Sequence, residues 1–271
     1  MEVGEIETTA ESMSCSMQYH VINDVIGFLL YMHQQIPSSV IIVLQDIHQE
    51  FDMMHIERKQ LEMDLATKDL KIPLRRKYNS RLREVRRGIR VFEKLTSTVS
   101  SVQLALQMVL GESSGISEVL LILGSSPLRP RYVYELSFLH GKISQSSSSD
   151  YNKCKEAEVL SKKTIRMLIS KGVGSSYYPG PTKLFIMVRA PFSFNQPLHF
   201  LPKREFKYNK KIVPFRLQFK CRKQDRKLYK WHPQSETGSP RSLEDNITTD
   251  LIWYQCRHVI KGLISKVASS E

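Results

Sequence analysis

One apolar stripe constrains this chain more than any other feature. Leu82, Val85, Ile89, Phe92, Val99, Val102, Leu106 and Val109 stand mostly three or four residues apart, and Leu95 fills the one wider gap. That is the period of an amphipathic helix. It predicts a helix over about residues 77–110, with Gly111 as its C-terminal stop. A helix with one apolar face must bury that face against another layer. The first half is also strongly basic, with Arg81, Arg83, Arg86, Arg87, Arg90 and Lys94 set between the apolar positions.

The flanking segments indicate what the other layer is. Upstream, Met17, Val21, Val25, Phe28, Leu29 and Met32 fall at helical spacing, and Pro37 ends that stretch because the residue before a proline avoids the α region. A second helical stretch over 38–52 carries Ile41, Leu44, Ile47 and Phe51 on one stripe. Residues 53–73 are charged, uneven in period and closed by Pro73, which reads as partly helical or as a mobile connection. Residues 1–16 read as a disordered acidic tail.

Downstream the pattern turns strand-like. Residues 118–123 form an apolar run suited to a buried strand, 124–130 have turn chemistry, and 132–139 alternate. The three predict a hairpin with a long loop. A serine-rich loop over 144–149 leads to a helix over 154–170, with Ala157, Leu160, Ile165, Leu168 and Ile169 as contact positions. Strands follow at 182–189 and 213–221, with a weaker one at 205–208 and a late one at 251–257 that contains Trp253. Strands cluster here instead of alternating strictly with helices. That argues for an α+β fold with an antiparallel sheet packed on helices, and against a doubly wound parallel sheet. The chain therefore reads as a tail, 1–16, and a single domain, 17–271. Mobile or loop insertions are expected at about 53–75, 142–153 and 232–249.

Composition narrows the class. The chain has 271 residues, 41 % of them apolar, which suffices for a core and is too much for a wholly disordered chain. Its longest aliphatic runs, residues 40–44 and 119–123, are far short of the about 20 residues that cross a bilayer. The acidic start, with Glu2, Glu5, Glu7 and Glu11, does not read as a signal peptide. Cys15, Cys154, Cys221 and Cys256 are far apart, so reduced thiols in the cytosol or nucleus are the expectation.

The catalytic motifs fail on context. Gly111-Glu112-Ser113-Ser114-Gly115 matches a nucleophile elbow, but that motif needs a strand-to-helix turn and here stands between a helix and a strand. His48 and His55 have no partner at a recognised ligand spacing. Gly172-Val173-Gly174 follows a helix and lacks the third glycine of a dinucleotide loop. A non-catalytic protein without a cofactor or metal is the expectation.

Charge is the more informative signal. The formal net charge is +13. Between Lys203 and Lys230 stand twelve Lys/Arg and two acids, interleaved with Phe206, Tyr208, Phe215, Phe219 and Tyr229. Basic surface with stacking groups is one footprint of nucleic-acid binding. The alternation of Phe215, Leu217 and Phe219 with Arg216, Gln218 and Lys220 argues instead that the aromatics face a core and the charges face solvent.

Several segments together resemble a known family. They are Tyr31-Met32-His33-Gln34-Gln35-Ile36-Pro37, Val119-Leu120-Leu121-Ile122-Leu123-Gly124, Tyr132-Val133-Tyr134-Glu135-Leu136, Phe200-Leu201-Pro202-Lys203, Leu217-Gln218-Phe219-Lys220-Cys221, Asp250-Leu251-Ile252-Trp253-Tyr254-Gln255 and Lys261-Gly262. In this order and at this spacing, from about residue 20 to residue 263, they resemble the comet protein family, whose members bind the spindle-checkpoint protein Mad-two (mitotic arrest deficient two).

The resemblance implies a HORMA-like fold: three main helices packed on an antiparallel sheet, with a C-terminal safety-belt region. It implies an adaptor that binds the closed conformer of Mad-two, a HORMA protein itself, and hands it to a hexameric AAA+ remodelling ATPase. The outcome is disassembly of the mitotic checkpoint complex and checkpoint silencing, in the nucleus and cytoplasm and at the spindle or kinetochore in mitosis. The family's ATPase-engaging proline-lysine pair matches Pro202-Lys203. Its partner-contacting glutamine falls at Met32, its aromatic contact on the third helix falls near Ile169, and a basic helix position matches Arg166. The Met32 and Ile169 substitutions imply a more apolar, less directional contact. Two alternatives remain: a nucleic-acid-binding protein acting through residues 203–230, or another HORMA protein that closes its belt around a partner peptide. No membrane partner is expected.

Overall fold

The structure, a computed structural model, describes residues 4–8, 13–36, 43–68, 71–112, 116–139, 150–174, 180–209, 211–221 and 251–263. In chain order these hold β1 (Gly4–Thr8), α1 (Cys15–Met32), α2 (Val43–Thr67), α3 (Ile72–Glu112), β2 (Glu118–Ser126), β3 (Arg129–Leu139), α4 (Asp150–Ser170), β4 (Lys183–Pro191), β5 (Phe200–Lys203), β6 (Phe215–Cys221), β7 (Leu251–Cys256) and β8 (Ile260–Lys261).

The apolar stripe becomes α3, which extends past the expected 77–110 at both ends. Pro73 is its second residue, a first-turn position where the missing N–H is not needed. Proline thus opens this helix instead of closing the segment before it. The stripe serves two partners in turn. Leu95, Val102, Ala105, Leu106, Val109 and Leu110 belong to the main core. Leu82, Val85, Ile89 and Phe92 are buried on the half that packs with α2. There Gly88 abuts Met54, and ion pairs join Arg81 to Glu57 (2.6 Å) and Arg86 to Glu62 (2.9 Å).

Of the two readings of residues 53–73, the helical one describes the stretch as far as Thr67, where α2 ends. Its period is uneven because it only half-buries one narrow face, on a single helix, and leaves Met53, Ile56 and Met63 exposed. The described residues therefore carry four helices, one more than the three main helices of the expectation. At the other expected insertions, α4 already begins at Asp150, while 140–149 and 222–250 lie outside the described residues.

The strands form one sheet in the order β1-β6-β3-β2-β4-β7-β5, with β8 pairing to β4. The α+β class holds, but the sheet is mixed, not purely antiparallel. β6 runs parallel to both β1 and β3, and the remaining pairs are antiparallel. The chain travels from β3 to β6 through α4, β4 and β5. Such a crossover delivers the returning strand in the same direction, which a tight hairpin cannot do.

Both faces of the sheet are covered. Val119, Leu121 and Leu123 face the helices with Tyr134, Leu136, Ile186 and Phe219. Leu120 and Ile122 face the other way with Val133, Phe185 and Met187, under Phe206, Tyr208, Ile212, Trp253 and Val259. Two-sided burial is the reason β2 reads as an unbroken apolar run.

Three local expectations change. Residues 4–8 of the expected tail form β1, which sits at the edge of the sheet with Ile6 fully buried and Glu5 paired to Lys220 at 2.7 Å. Residues 205–208 are not a strand: the Phe206 N–H donates to the Lys203 carbonyl (3.2 Å), turning the chain so that Phe206 and Tyr208 lie on the sheet's outer face. The β2–β3 loop is short, because both strands run into the expected turn with register shifts around Gly124.

One buried node ties these layers together. Gln34 takes the left-handed conformation (φ 51°) after α1, and Gln35 behind it is fully buried. The Gln35 carboxamide donates to the carbonyls of His33 (2.6 Å) and Gly180 (3.3 Å) and accepts from the Thr182 N–H (2.6 Å). Its backbone carbonyl accepts from Leu263 (2.7 Å). A Cβ on Gly262 would collide with the carboxamide, so the chain can pass only as glycine. Beside it, buried His33 is hydrogen-bonded through Nε2 to the Tyr134 hydroxyl at 2.6 Å.

Removing the carboxamide strands buried polar groups. Gln35→Leu is expected to lower stability by about 3 kcal/mol in chemical denaturation, on the usual cost of unmade buried hydrogen bonds. A loss of only a few tenths would remove the node from this role. His33 adds a pH dependence, since burial and then the Arg131 charge pull its imidazole down to about 4 from 6.5. A base depressed in this way binds fewer protons folded than unfolded. Its contribution is therefore complete above 6.5, falls as pH drops through the window toward 4, and levels off below. Denaturation of wild type and His33→Gln across that window should show wild type losing roughly 3 kcal/mol more. Parallel profiles would contradict this.

Candidate partner-binding surface

Helix α4 lies beside α1 and turns Ala157, Leu160, Ser161, Thr164 and Leu168 inward. The opposite face carries Val159, Lys162, Arg166 and Ile169, spaced three and four residues apart. Val159 is 65 % exposed and Ile169 55 %, so two branched apolar side chains stand in water on one stripe. Arg166, also exposed, stands between them. Lys162 bonds to Glu158 at 2.6 Å, but both side chains are more than half exposed, so the pair adds little. Ile165 is half-buried against the main core.

Met32 plays a different part. It is the last residue of α1, half-buried against the main core. Gly174, just beyond α4, has φ +86°, and a Cβ there would run into Met32. Met32 thus fills the turn that follows α4. The fold brings it to the same corner as Arg166 and Ile169 but uses it for packing. Val159 was missed in the sequence. A helical wheel carries the signal, because Val159 falls opposite the mean direction of the buried set.

Pro202 and Lys203 lie on β5, the sheet's other edge, and both are exposed. Proline suits an edge strand, which has one side without a ladder. They pair in register with Tyr254 and Trp253, which face opposite sides of the sheet. Pro202 and Lys203 therefore project to opposite faces of the rim. At the start of β5, His199 Nδ1 lies 2.9 Å from His258 Nε2, and burial followed by the His199 charge pulls His258 below its ordinary value. Helix α4 touches β1, so the two candidate surfaces sit at opposite edges of the sheet. Six strand spacings separate those edges, about 29 Å.

The basic segment 203–230 does not display its described aromatics. Phe206 and Tyr208 cover the outer face, Phe215 stacks on Tyr134 (5.2 Å) and Phe219 on Phe138 (4.9 Å). Arg216 pairs with Glu135 and Lys220 with Glu5. A cleft of about 350 Å3 beside them is lined by Phe206, Lys207, Tyr208, Trp253, Glu135 and Arg216, with Glu135 and Arg216 paired at 3.1 Å. Tyr229 lies outside the described residues, as does Ser113 of the elbow-like motif. Among the described residues, no group of three or more His, Cys, Asp or Glu is placed to hold a metal ion, and no helix is long and apolar enough to cross a membrane.

Compared with known proteins, the chain matches no family model and no curated protein.

The two kinds of residue at this corner should separate in thermal denaturation. Val159→Asp and Ile169→Asp are expected to change stability by less than about 0.5 kcal/mol, as exposed positions do. Gly174→Ala, which meets both a positive φ and Met32, should cost about 1–3 kcal/mol. Equal effects from all three would put the α4 stripe in the core instead of at the surface.

Proposed function

We propose that this chain is a non-catalytic HORMA-like adaptor that binds the closed conformer of Mad-two and presents it to a hexameric AAA+ ATPase, promoting disassembly of the mitotic checkpoint complex. The observation that carries the reading is how the comet-like segments meet. The described part of the first segment, 31–36, reaches Lys261-Gly262 through Gln35 and Tyr132–Leu136 through His33. β2 pairs β3 and β4, β3 pairs β6, and β5 pairs β7. Segments scattered over most of the chain thus form one connected framework. That supports reading them as the signature of one fold instead of as separate coincidences. On this reading α1, α3 and α4 are the main helices and the segments around β5, β6 and β7 belong to the safety-belt region.

The surfaces fit the two tasks. A folded partner is held by a few central anchors ringed by weaker contacts. The α4 face offers Val159 and Ile169 as apolar anchors and Arg166 as the cation between them, on a rigid helix. An interface of ordinary size would bury roughly 800 Å² on each partner. Pro202 and Lys203, at the far edge, stay accessible while α4 is covered. One molecule can thereby grip its partner and the ATPase together.

Ile169→Asp combined with Arg166→Glu is expected to abolish co-purification with closed Mad-two while leaving the fold intact. Unchanged affinity would overturn the assignment of α4. Pro202→Ala with Lys203→Ala should spare that complex and slow ATPase-driven disassembly, whereas a normal disassembly rate would remove the pair from this role.

A further inference from the structure

The face of α3 turned away from α2 carries a row of cations that the adaptor reading does not use. Arg76, Arg83, Arg87, Arg90 and Lys94 recur at intervals of seven, four, three and four residues, so they share one helix face. All five are exposed, on the side opposite the buried row Leu82, Val85, Ile89 and Phe92. At the helical rise the row is about 27 Å long. No acid lies within it, since Glu84 and Glu93 fall on its two flanks. Among the described residues, the ion pairs of α2 and α3 engage Lys68, Arg81 and Arg86, none of them in the row.

Like charges three and four residues apart on a helix repel, so this arrangement works against the helix that bears it. We infer that the row binds the phosphate backbone of a nucleic acid, without reading its sequence. Four of the five cations are guanidinium groups, whose planar fork matches phosphate oxygens. Between Arg76 and Lys94 the row has no aromatic residue and no leucine; Val91 lies at its rim, and exposed Ile72 stands beyond its N-terminal end, one turn before Arg76, not at its centre. A folded protein partner needs central apolar or aromatic anchors. A membrane-surface helix needs an apolar face to insert. A polyanionic backbone needs neither. This places the nucleic-acid footprint on α3, away from residues 203–230, whose described aromatics are packed against the sheet.

The test is fluorescence anisotropy of the full chain with short labelled DNA and RNA duplexes of mixed sequence, at a series of salt concentrations. Binding is expected, with an affinity that falls linearly on a log–log plot by about 0.9 per DNA phosphate neutralised. Replacing Arg83, Arg87, Arg90 and Lys94 together by Gln should weaken low-salt binding at least tenfold and make the DNA slope shallower by about 3–4. Replacing Lys183, Lys211, Arg257 and Lys261 by Gln, which removes the same charge elsewhere, should change neither. The double variant Arg87→Gln with Arg90→Gln should show about half of the slope change and keeps the test decisive if the fourfold variant loses helicity. No retention at low salt overturns the inference, as do equal losses in the two fourfold variants. Competition by polyglutamate as strong as by DNA of equal charge would assign the row to an acidic protein instead. Mad-two binding is read separately and is unaffected by any of these outcomes.

Discussion

The Gln35 carboxamide, wholly out of water, is the contact on which the rest of the architecture depends. It joins the end of α1 to the approach to β4 and, through the close passage of Gly262, to the last described residues. β4 is the central organiser of the sheet, pairing with β2, β7 and β8. Fixing its start fixes where β7 runs, and β7 in turn holds β5 at the edge. Donors and acceptors buried this deeply are costly unless all are matched, so the node has one arrangement. The position of Pro202 and Lys203 is a remote consequence of a glutamine just past the end of α1.

The same architecture separates its surfaces. The α4 stripe overlies the β1 side of the sheet, β5 closes the other side, and the α2–α3 arm carries its basic row on the face turned away from α2. The +13 charge is therefore not one patch. Within the 203–230 segment the described aromatics are spent on packing and the strand charges Arg216 and Lys220 are paired to acids. The α3 row has neither property, which makes it the stronger electrostatic feature of the described chain.

Much of the fold was legible because it rests on long, regular patterns. The α3 stripe is readable over eight apolar positions, and β2 is readable because both of its faces are buried. What was not legible has physical reasons. β1 is five residues with Ile6 as its buried anchor, too little period to show. α2 only half-buries a single narrow face, so its pattern looks irregular. Phe206 and Tyr208 imitate strand alternation, yet they reach the sheet from a turn. The direction of β6 is set by the crossover before it and leaves no mark on its own residues. At the candidate site, Ile169 and Arg166 were readable as helix positions. Met32 was not, because its half-burial depends on Gly174, far away in sequence. Val159 required the buried set of α4 to be known first.

The central claim is that the exposed α4 stripe docks the closed conformer of Mad-two while β5 stays open. Amide hydrogen exchange of the full chain, alone and mixed with that conformer, measures both surfaces in one experiment. The account predicts slowed exchange over residues 159–170 and unchanged exchange over β5. Unchanged exchange along α4, or protection confined to β5, would contradict it.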